Sequence, residues 1–333
     1  MNKKLFGKLP TGEDIYKYTL KNENAELTLM TRGAAIVKFI VYGTDIVGGF
    51  DTLEDYLKDT SHQGATIGRV ANRIANATFT MDGAVYMLPA NNNGNCLHGG
   101  CGFDYKVWEV ADVKDDRITF AYTSADGEEG FPAELRVEVT YILDGTSVII
   151  DYAAYPNGKT PIALTNHSYF NLDGFGDTVK EHTAVIYAKN YTEVDEKLIP
   201  NGNRPSVFGT AFDFTTPHTI GERIVGDFIG YDHNFILSPE KFESYIGREL
   251  GLIAEVSGKR LKMSVYTDQP GVQFYIGNFL GNGPNFKGLV RPVRHGAFCL
   301  ETQTEPNCVN HGEGFYEAGD KYVHTTVYKI EKL

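Results

Sequence analysis

Residues 135–155 read LRVEVTYILDGTSVIIDYAAY. In LRVEVTYIL (135–143) apolar residues alternate with Arg, Glu and Thr, the two-residue period of a strand with one buried face. SVIIDYAAY (147–155) continues in β-branched and aromatic residues. Between them, Asp144-Gly145 is a hairpin signal, because these two residues tolerate the backbone of a tight turn. The stretch predicts an antiparallel hairpin, and its pattern recurs outward in both directions. AELTLM (25–30), AAIVKFIVY (34–42), TFTMDGAVYML (78–88) with its own Asp82-Gly83, and RITFAYTS (117–124) precede it. HTAVIYA (182–188), RLKMSVYT (260–267), VQFYIGNF (272–279) and HTTVYKI (324–330) follow. The single helical signal is FDTLEDYLKD (50–59), opened by Asp51 or Thr52 as a cap. Strand upon strand joined by turns predicts an all-β fold, a large antiparallel β-sandwich with few short helices, and argues against βαβ units.

The chain has 333 residues, enough for two ordinary domains or one large all-β domain. No linker or repeat divides it. The least regular parts, 189–222 and 280–296, have polar motifs on both sides, so a single domain over 1–333 is expected. The net charge is −12 without a basic block, which disfavours nucleic acid and anionic membranes as partners. MNKKLFGKLPTGEDIYKY lacks the apolar core of a signal peptide, and no apolar run approaches the length of a membrane helix. A cytoplasmic location is therefore expected, with Cys96, Cys101, Cys299 and Cys308 unpaired. Cys96, His98 and Cys101 are spaced Cys-x-His-x-x-Cys, but no second ligand pair follows. Small buried thiols are the expectation, and no metal.

Six stretches place polar or ionisable residues inside apolar runs: GRVANRI (68–74), CLHGG (96–100), IALTNHSYFNL (162–172), YDHNF (231–235), GVQF (271–274) and FCLETQ (298–303). Burying so many polar groups without use is costly, so they are expected to meet in one cleft. His167 lies between Asn166, Ser168 and Tyr169, where an imidazole can be held in one tautomer and aimed at a ligand. The alternative is a core histidine with satisfied hydrogen bonds. Glu301 projects from an apolar strand, and burial there would raise its pKa toward that of a general base. The alternative is an edge position facing water. Arg73, beside Asn72, offers a fork of donors, or else a surface ion pair. His98 precedes Gly99-Gly100, which allow a close approach. Asp232 could accept from hydroxyls or merely end a loop, and Gln273 could do the same or face solvent. LHGGCGF has no following Lys-Ser/Thr, which excludes a phosphate loop. Nucleophile-elbow, HExxH and dinucleotide signatures are missing too. The inventory suits polar recognition and proton transfer on a neutral, hydroxyl-rich molecule.

GRVANRIANATF, LHGG followed by GFD, DGEEGFP, LTNHSYFNLDG, YDHNF, QPGVQFYIGNFL and FCLETQ, taken together, resemble the aldose 1-epimerase (galactose mutarotase) family over essentially the whole chain. The resemblance implies one large antiparallel β-sandwich of the galactose mutarotase-like supersandwich type. It implies an isomerase that interconverts the α and β anomers of free aldoses such as galactose and glucose, without metal or organic cofactor. Glu301 would be the general base and His167 the general acid. Arg73, His98 and Asp232 would bind and orient the sugar, and Asn72, Tyr169 and Gln273 match further sugar contacts. A carboxylate and an imidazolium on opposite sides of the sugar would act together. In the pH profile the acid limb would belong to Glu301 and the alkaline limb to His167. The expected partner is a small-molecule aldose, and the expected state a monomer or weak dimer. Rival expectations are a glycosidase using Glu301 and Asp232, a silent sugar sensor, and a sugar-phosphate epimerase drawing on Arg204, Arg223, Arg291 or Arg294.

Overall fold

The 135–155 hairpin forms as its alternation predicts. Strands Leu135–Asp144 and Ser147–Pro156 pair antiparallel without a register break, Leu135 opposite Pro156 and Asp144 opposite Ser147. Leu135, Val137, Val139 and Tyr141 all turn inward and are buried. This computed structural model describes residues 2–333. The hairpin lies within a ten-stranded antiparallel sheet. From one edge the order is Glu109–Val113, Arg117–Ser124, Leu135–Asp144, Ser147–Pro156, Tyr322–Lys332, Leu261–Thr267, Arg248–Ser257, Thr183–Ile186 and His218–Thr219, with Phe242–Tyr245 also on Arg248–Ser257. The last strand of the chain thus lies in the middle of the sheet, Ser147 opposite Lys329.

A five-stranded meander packs on this sheet: Asn2–Lys8, Asp14–Lys21, Ala25–Met30, Ala35–Val41 and Thr44–Asp45. Leu20, Leu27, Leu29 and Phe39 share one buried cluster with Phe120, Val139 and Tyr141. Facing apolar layers of two sheets are what makes a sandwich. The Tyr141 hydroxyl donates to Ala34 O at 2.6 Å, so that the ring's polar end is satisfied within the core. A third sheet has four strands in the order Ala188–Tyr191, Asp232–Leu237, Gly271–Tyr275 and Cys299–Gln303. Phe274 and Leu300 of this sheet join the same cluster.

The one α-helix among the described residues, Leu53–Lys58, begins where expected. Thr52 is the cap, its Oγ1 accepting from Asp55 N at 3.2 Å. Among the described residues no helix is long and apolar enough to cross a membrane. Three stretches differ from their expected form. HTAVIYA does not make one strand: Thr183–Ile186 pairs in the large sheet and Ala188–Tyr191 in the four-stranded one. VQFYIGNF leaves extended structure after Tyr275, before Gly277 takes a φ of +63°. Within 162–172 the regular pairing is Thr165–Asn166 with Thr66–Ile67, and the remainder is irregular. The last two stretches supply walls of the polar cavity described next.

Candidate active site

The four-stranded sheet supplies the acidic side. Asp232 opens the Asp232–Leu237 strand, and Glu301 is central in Cys299–Gln303. The strand between them pairs Gln273 with Glu301 on one side and with Asn234 on the other. Gln273 Nε2 donates to Asp232 Oδ1 at 2.7 Å. Glu301 is 2% exposed, and its Oε2 has no hydrogen-bond partner. Burial pushes its carboxyl well above the usual carboxylate range, the negative charge of Asp232 adds to this, and Arg73 opposes it.

His167 reaches the same point from the irregular stretch. Its backbone N–H donates to Ala65 O and its carbonyl accepts from Gly64 N, both at 2.9 Å. Its neighbours are scaffolding: Asn166 Nδ2 donates to Gly64 O at 2.9 Å, and Ser168 Oγ donates to Asn166 Oδ1 at 2.6 Å. His167 Nε2 stands 3.6 Å from Glu301 Oε1. Burial depresses its pKa to about 3, and the neighbouring His62 pushes the same way. A raised carboxyl and a lowered imidazole both favour the neutral pair, with the shared proton on Glu301. The two groups are also side by side.

The basic wall is built from two loops locked to one another. Asn72 N donates to His98 Nδ1 at 3.2 Å, and His98 N donates to Asn72 O at 2.9 Å. Because Nδ1 accepts, the neutral His98 ring carries its proton on Nε2. Burial keeps that ring neutral, helped by His62, His167 and Arg73. Asn72 and His98 both have positive φ, 59° and 55°, a conformation that costs energy and clusters at functional sites. Gly99 permits the contact, since a Cβ there would lie 2.4 Å from Gly68 O. Arg73 is 9% exposed, and Nε donates to Asn92 Oδ1 at 3.2 Å, which leaves the terminal nitrogens to the cavity. It is no surface ion pair. The other arginine of GRVANR, Arg69, is structural: it donates to Ser124, Thr160 and three backbone carbonyls, Pro132 O, Ser124 O and Ala125 O.

These walls enclose a cavity of about 220 Å³. That is below the roughly 300–1,000 Å³ of drug-sized sites and suits one small ring. Asn72, Arg73, His98, His167, Tyr169, Asp232 and Glu301 line it. Gln273, the remaining expected residue, is buried behind Asp232 and accepts from Gln303 Nε2 at 3.4 Å. Sequence reasoning missed His62, Tyr275 and Phe279, which also line the cavity. Tyr275 and Phe279 stand in QFYIGNFL and were legible there as part of the motif. His62, in KDTSHQG, has polar neighbours and gave no signal.

Among the described residues, one grouping has metal-ligand atoms within 4.8 Å of one another: His98, His167 and Glu301. It is a poor cation site as built. His98 can bare Nε2 only by placing a proton on Nδ1 against the Asn72 N–H. Neither Cys96 nor Cys101 of the Cys-x-His-x-x-Cys spacing belongs to this grouping.

Fold and cavity together define a β-sandwich enzyme that does acid–base chemistry on a small polar ligand. The family model of aldose 1-epimerase matches residues 16–329. Galactose mutarotase from Bos taurus is 41% identical over 338 residues, 98% of this chain and 97% of the relative. Its Homo sapiens counterpart is 42% identical at the same coverage. Aldose 1-epimerase from Escherichia coli is 35% identical over 339 residues, 96% of each chain. Among solved structures, galactose 1-epimerase from Lactobacillus acidophilus superposes with a TM-score of 0.88 at 25% identity, covering 99% of this chain and 98% of that one. An aldose epimerase homologue from C. elegans gives 0.86 at 28% identity, covering 95% and 99%. The chain belongs to the aldose 1-epimerase family, isomerases that interconvert the anomers of aldoses.

Proposed function

We propose that this mutarotase acts on free aldoses such as galactose and glucose with Glu301 as general base and His167 as general acid. Opening a pyranose requires loss of the proton on the C1 hydroxyl and protonation of the ring oxygen. Rotation about C1–C2 and closure then deliver the other anomer. The observation that carries the assignment is the pair itself, Glu301 and His167 at 3.6 Å in the cavity wall. The C1 hydroxyl and ring oxygens are bonded to the same carbon, so two adjacent groups can reach both at once. The pair holds one proton. The form with a carboxylate and an imidazolium differs from the resting form only in where that proton sits. Hydroxyl donors of a bound sugar, with Arg73, favour the carboxylate. Closure returns each proton, so the pair is restored after every turnover.

Arg73, His98, Asn72, Asp232 and Tyr169 bind and orient the sugar in this scheme, and Gln273 acts by holding Asp232. Exposed Phe279 offers an aromatic face at the mouth of the cavity. Arg73 is the one Lys or Arg lining it among the described residues, which weakens the sugar-phosphate alternative. Arg223 and Arg294 are spent on backbone carbonyls, and Arg204 on Glu305. No cofactor takes part: dialysis against EDTA should leave the rate unchanged, and loss restored by zinc would contradict this. Residues 1–333 work as one domain, their three large sheets sharing one buried cluster, and as a monomer or weak dimer. Four free cysteines fit the cytoplasm. Polarimetry of freshly dissolved α-D-galactose and α-D-glucose should show accelerated approach to equilibrium. Release of phenol from a nitrophenyl glycoside would instead indicate the glycosidase.

A further inference from the structure

His62 lines the cavity, yet the scheme above does not use it. Its Nδ1 lies 2.8 Å from Asp104 Oδ2. Asp104, the last residue of the GFD motif, is 5% exposed, and its Oδ1 is buried without a partner. A buried carboxylate with half its acceptor capacity unused is expensive as packing alone. Its one side-chain bond is spent on orienting an imidazole. The His62 backbone is itself in the left-handed region, φ +59°. Its ring centroid is 4.8 Å from that of His98 and 5.7 Å from that of His167.

We propose that His62, aimed by Asp104, is a further substrate-contacting residue that works with His98 to read one sugar hydroxyl from both sides. The inference rests on the aldose reading. A carboxylate oxygen accepts, so the proton in the Asp104 bond sits on His62 Nδ1. In its neutral form the ring presents a bare lone pair at Nε2, its remaining polar atom. His98 is fixed the other way round: Nδ1 accepts from Asn72, and Nε2 carries the proton. One imidazole therefore offers a donor and its neighbour an acceptor. A hydroxyl is the group that satisfies both, accepting from His98 and donating to His62. Fluorine can accept but cannot donate, and a deoxy position does neither. The two rings thus select for a free hydroxyl at one ring position and against an analogue lacking it.

The test compares wild type, His62→Phe, His62→Gln and Asp104→Asn on the preferred aldose and on its 2-, 3-, 4- and 6-deoxy derivatives. Turnover is followed by polarimetry and sugar affinity by calorimetry. With the parent sugar, His62→Phe should lose about tenfold, the worth of one hydrogen bond, chiefly in KM and Kd. With one deoxy sugar, wild type and variant should be indistinguishable. His62→Gln, which keeps an acceptor, should recover part of the loss, and Asp104→Asn should fall between. An equal loss on every deoxy sugar, or none on the parent, would overturn the proposal. Should His62→Phe misfold by circular dichroism, the Gln and Asn variants carry the same comparison. Calorimetry separates the two levels: wild type that binds and discriminates these sugars without mutarotating any overturns the reaction and leaves the hydroxyl reader standing.

Discussion

Glu301 carries two consequences that can be measured separately. Glu301→Gln keeps the shape and cannot take a proton, so kcat should fall about 10²–10⁴-fold with sugar affinity little changed. A fall in affinity matching the fall in kcat would make Glu301 a sugar contact instead. The same variant should be more stable than wild type, with a sign fixed by linkage. Below the ordinary value of 4.5 the folded and unfolded chains both protonate this carboxyl, and burial costs nothing extra. As pH rises past 4.5 the unfolded chain releases its proton while the folded chain retains it, so wild type loses stability toward the raised folded value. The melting temperature of Glu301→Gln should therefore pull ahead of wild type between acid and neutral pH. The pH profile of kcat/KM follows from the pair acting as a one-proton unit. A second proton arrives only as pH falls toward about 3, at His167. The single proton is lost as pH rises through the elevated value of Glu301. On these shifts the acid limb should follow His167 and the alkaline limb Glu301, whereas the reading from sequence put them the other way round. Activity should hold steady through pH 5–6; an acid limb near the ordinary histidine value of about 6.5 would show that His167 is not shielded in solution.

At the level of elements, the site depends on how two loops are clamped. Asn72 N donates to the His98 ring and His98 N to Asn72 O, and Gly99 lets the second loop lie on Gly68. Gly99→Ala would force a side chain into a residue at φ +77° and set its Cβ 2.4 Å from Gly68 O. The expected cost is about 1–3 kcal/mol in stability, read by urea denaturation. KM should rise as well, because His98 moves with its loop. Gly145 makes a control, with open space around its Cβ position; its Ala variant pays only for φ +57° and should leave KM untouched. The sheet element is rigid by comparison. Asp232, Gln273 and Glu301 stand on neighbouring strands in continuous register, so the spacing of the carboxylates is set by strand separation, and loop chemistry does not enter.

In the whole molecule, one buried cluster runs through all three large sheets, from Leu27 to Tyr141 to Phe274. The large sheet itself joins residues 109–156 with 322–332 and 183–267. No strand that contributes to this cluster can leave without opening that core. Unfolding followed by the single tryptophan, Trp108, buried at 1%, and by far-ultraviolet circular dichroism should therefore coincide. Separated transitions would mean two cooperative units and would contradict a single domain.

The class of the fold was legible because it rests on local rules. Alternation in LRVEVTYIL and Asp-Gly turns are properties of neighbouring residues, and they act before any tertiary contact exists. The polar stretches also identified themselves, since Arg73, His167 and Glu301 each interrupt an apolar run. What the sequence could not contain was proton location and direction. That the Glu301 carboxyl is pushed up and the His167 imidazole down follows from burial by segments distant in sequence and, for Glu301, from Asp232 on another strand. That Gln273 stands behind Asp232 rather than in the cavity follows from strand register. That His62 belongs to the site at all follows from Asp104, 42 residues away. Pattern is written along the chain, whereas desolvation and charge coupling act through space, and only the folded arrangement fixes the distances on which they depend.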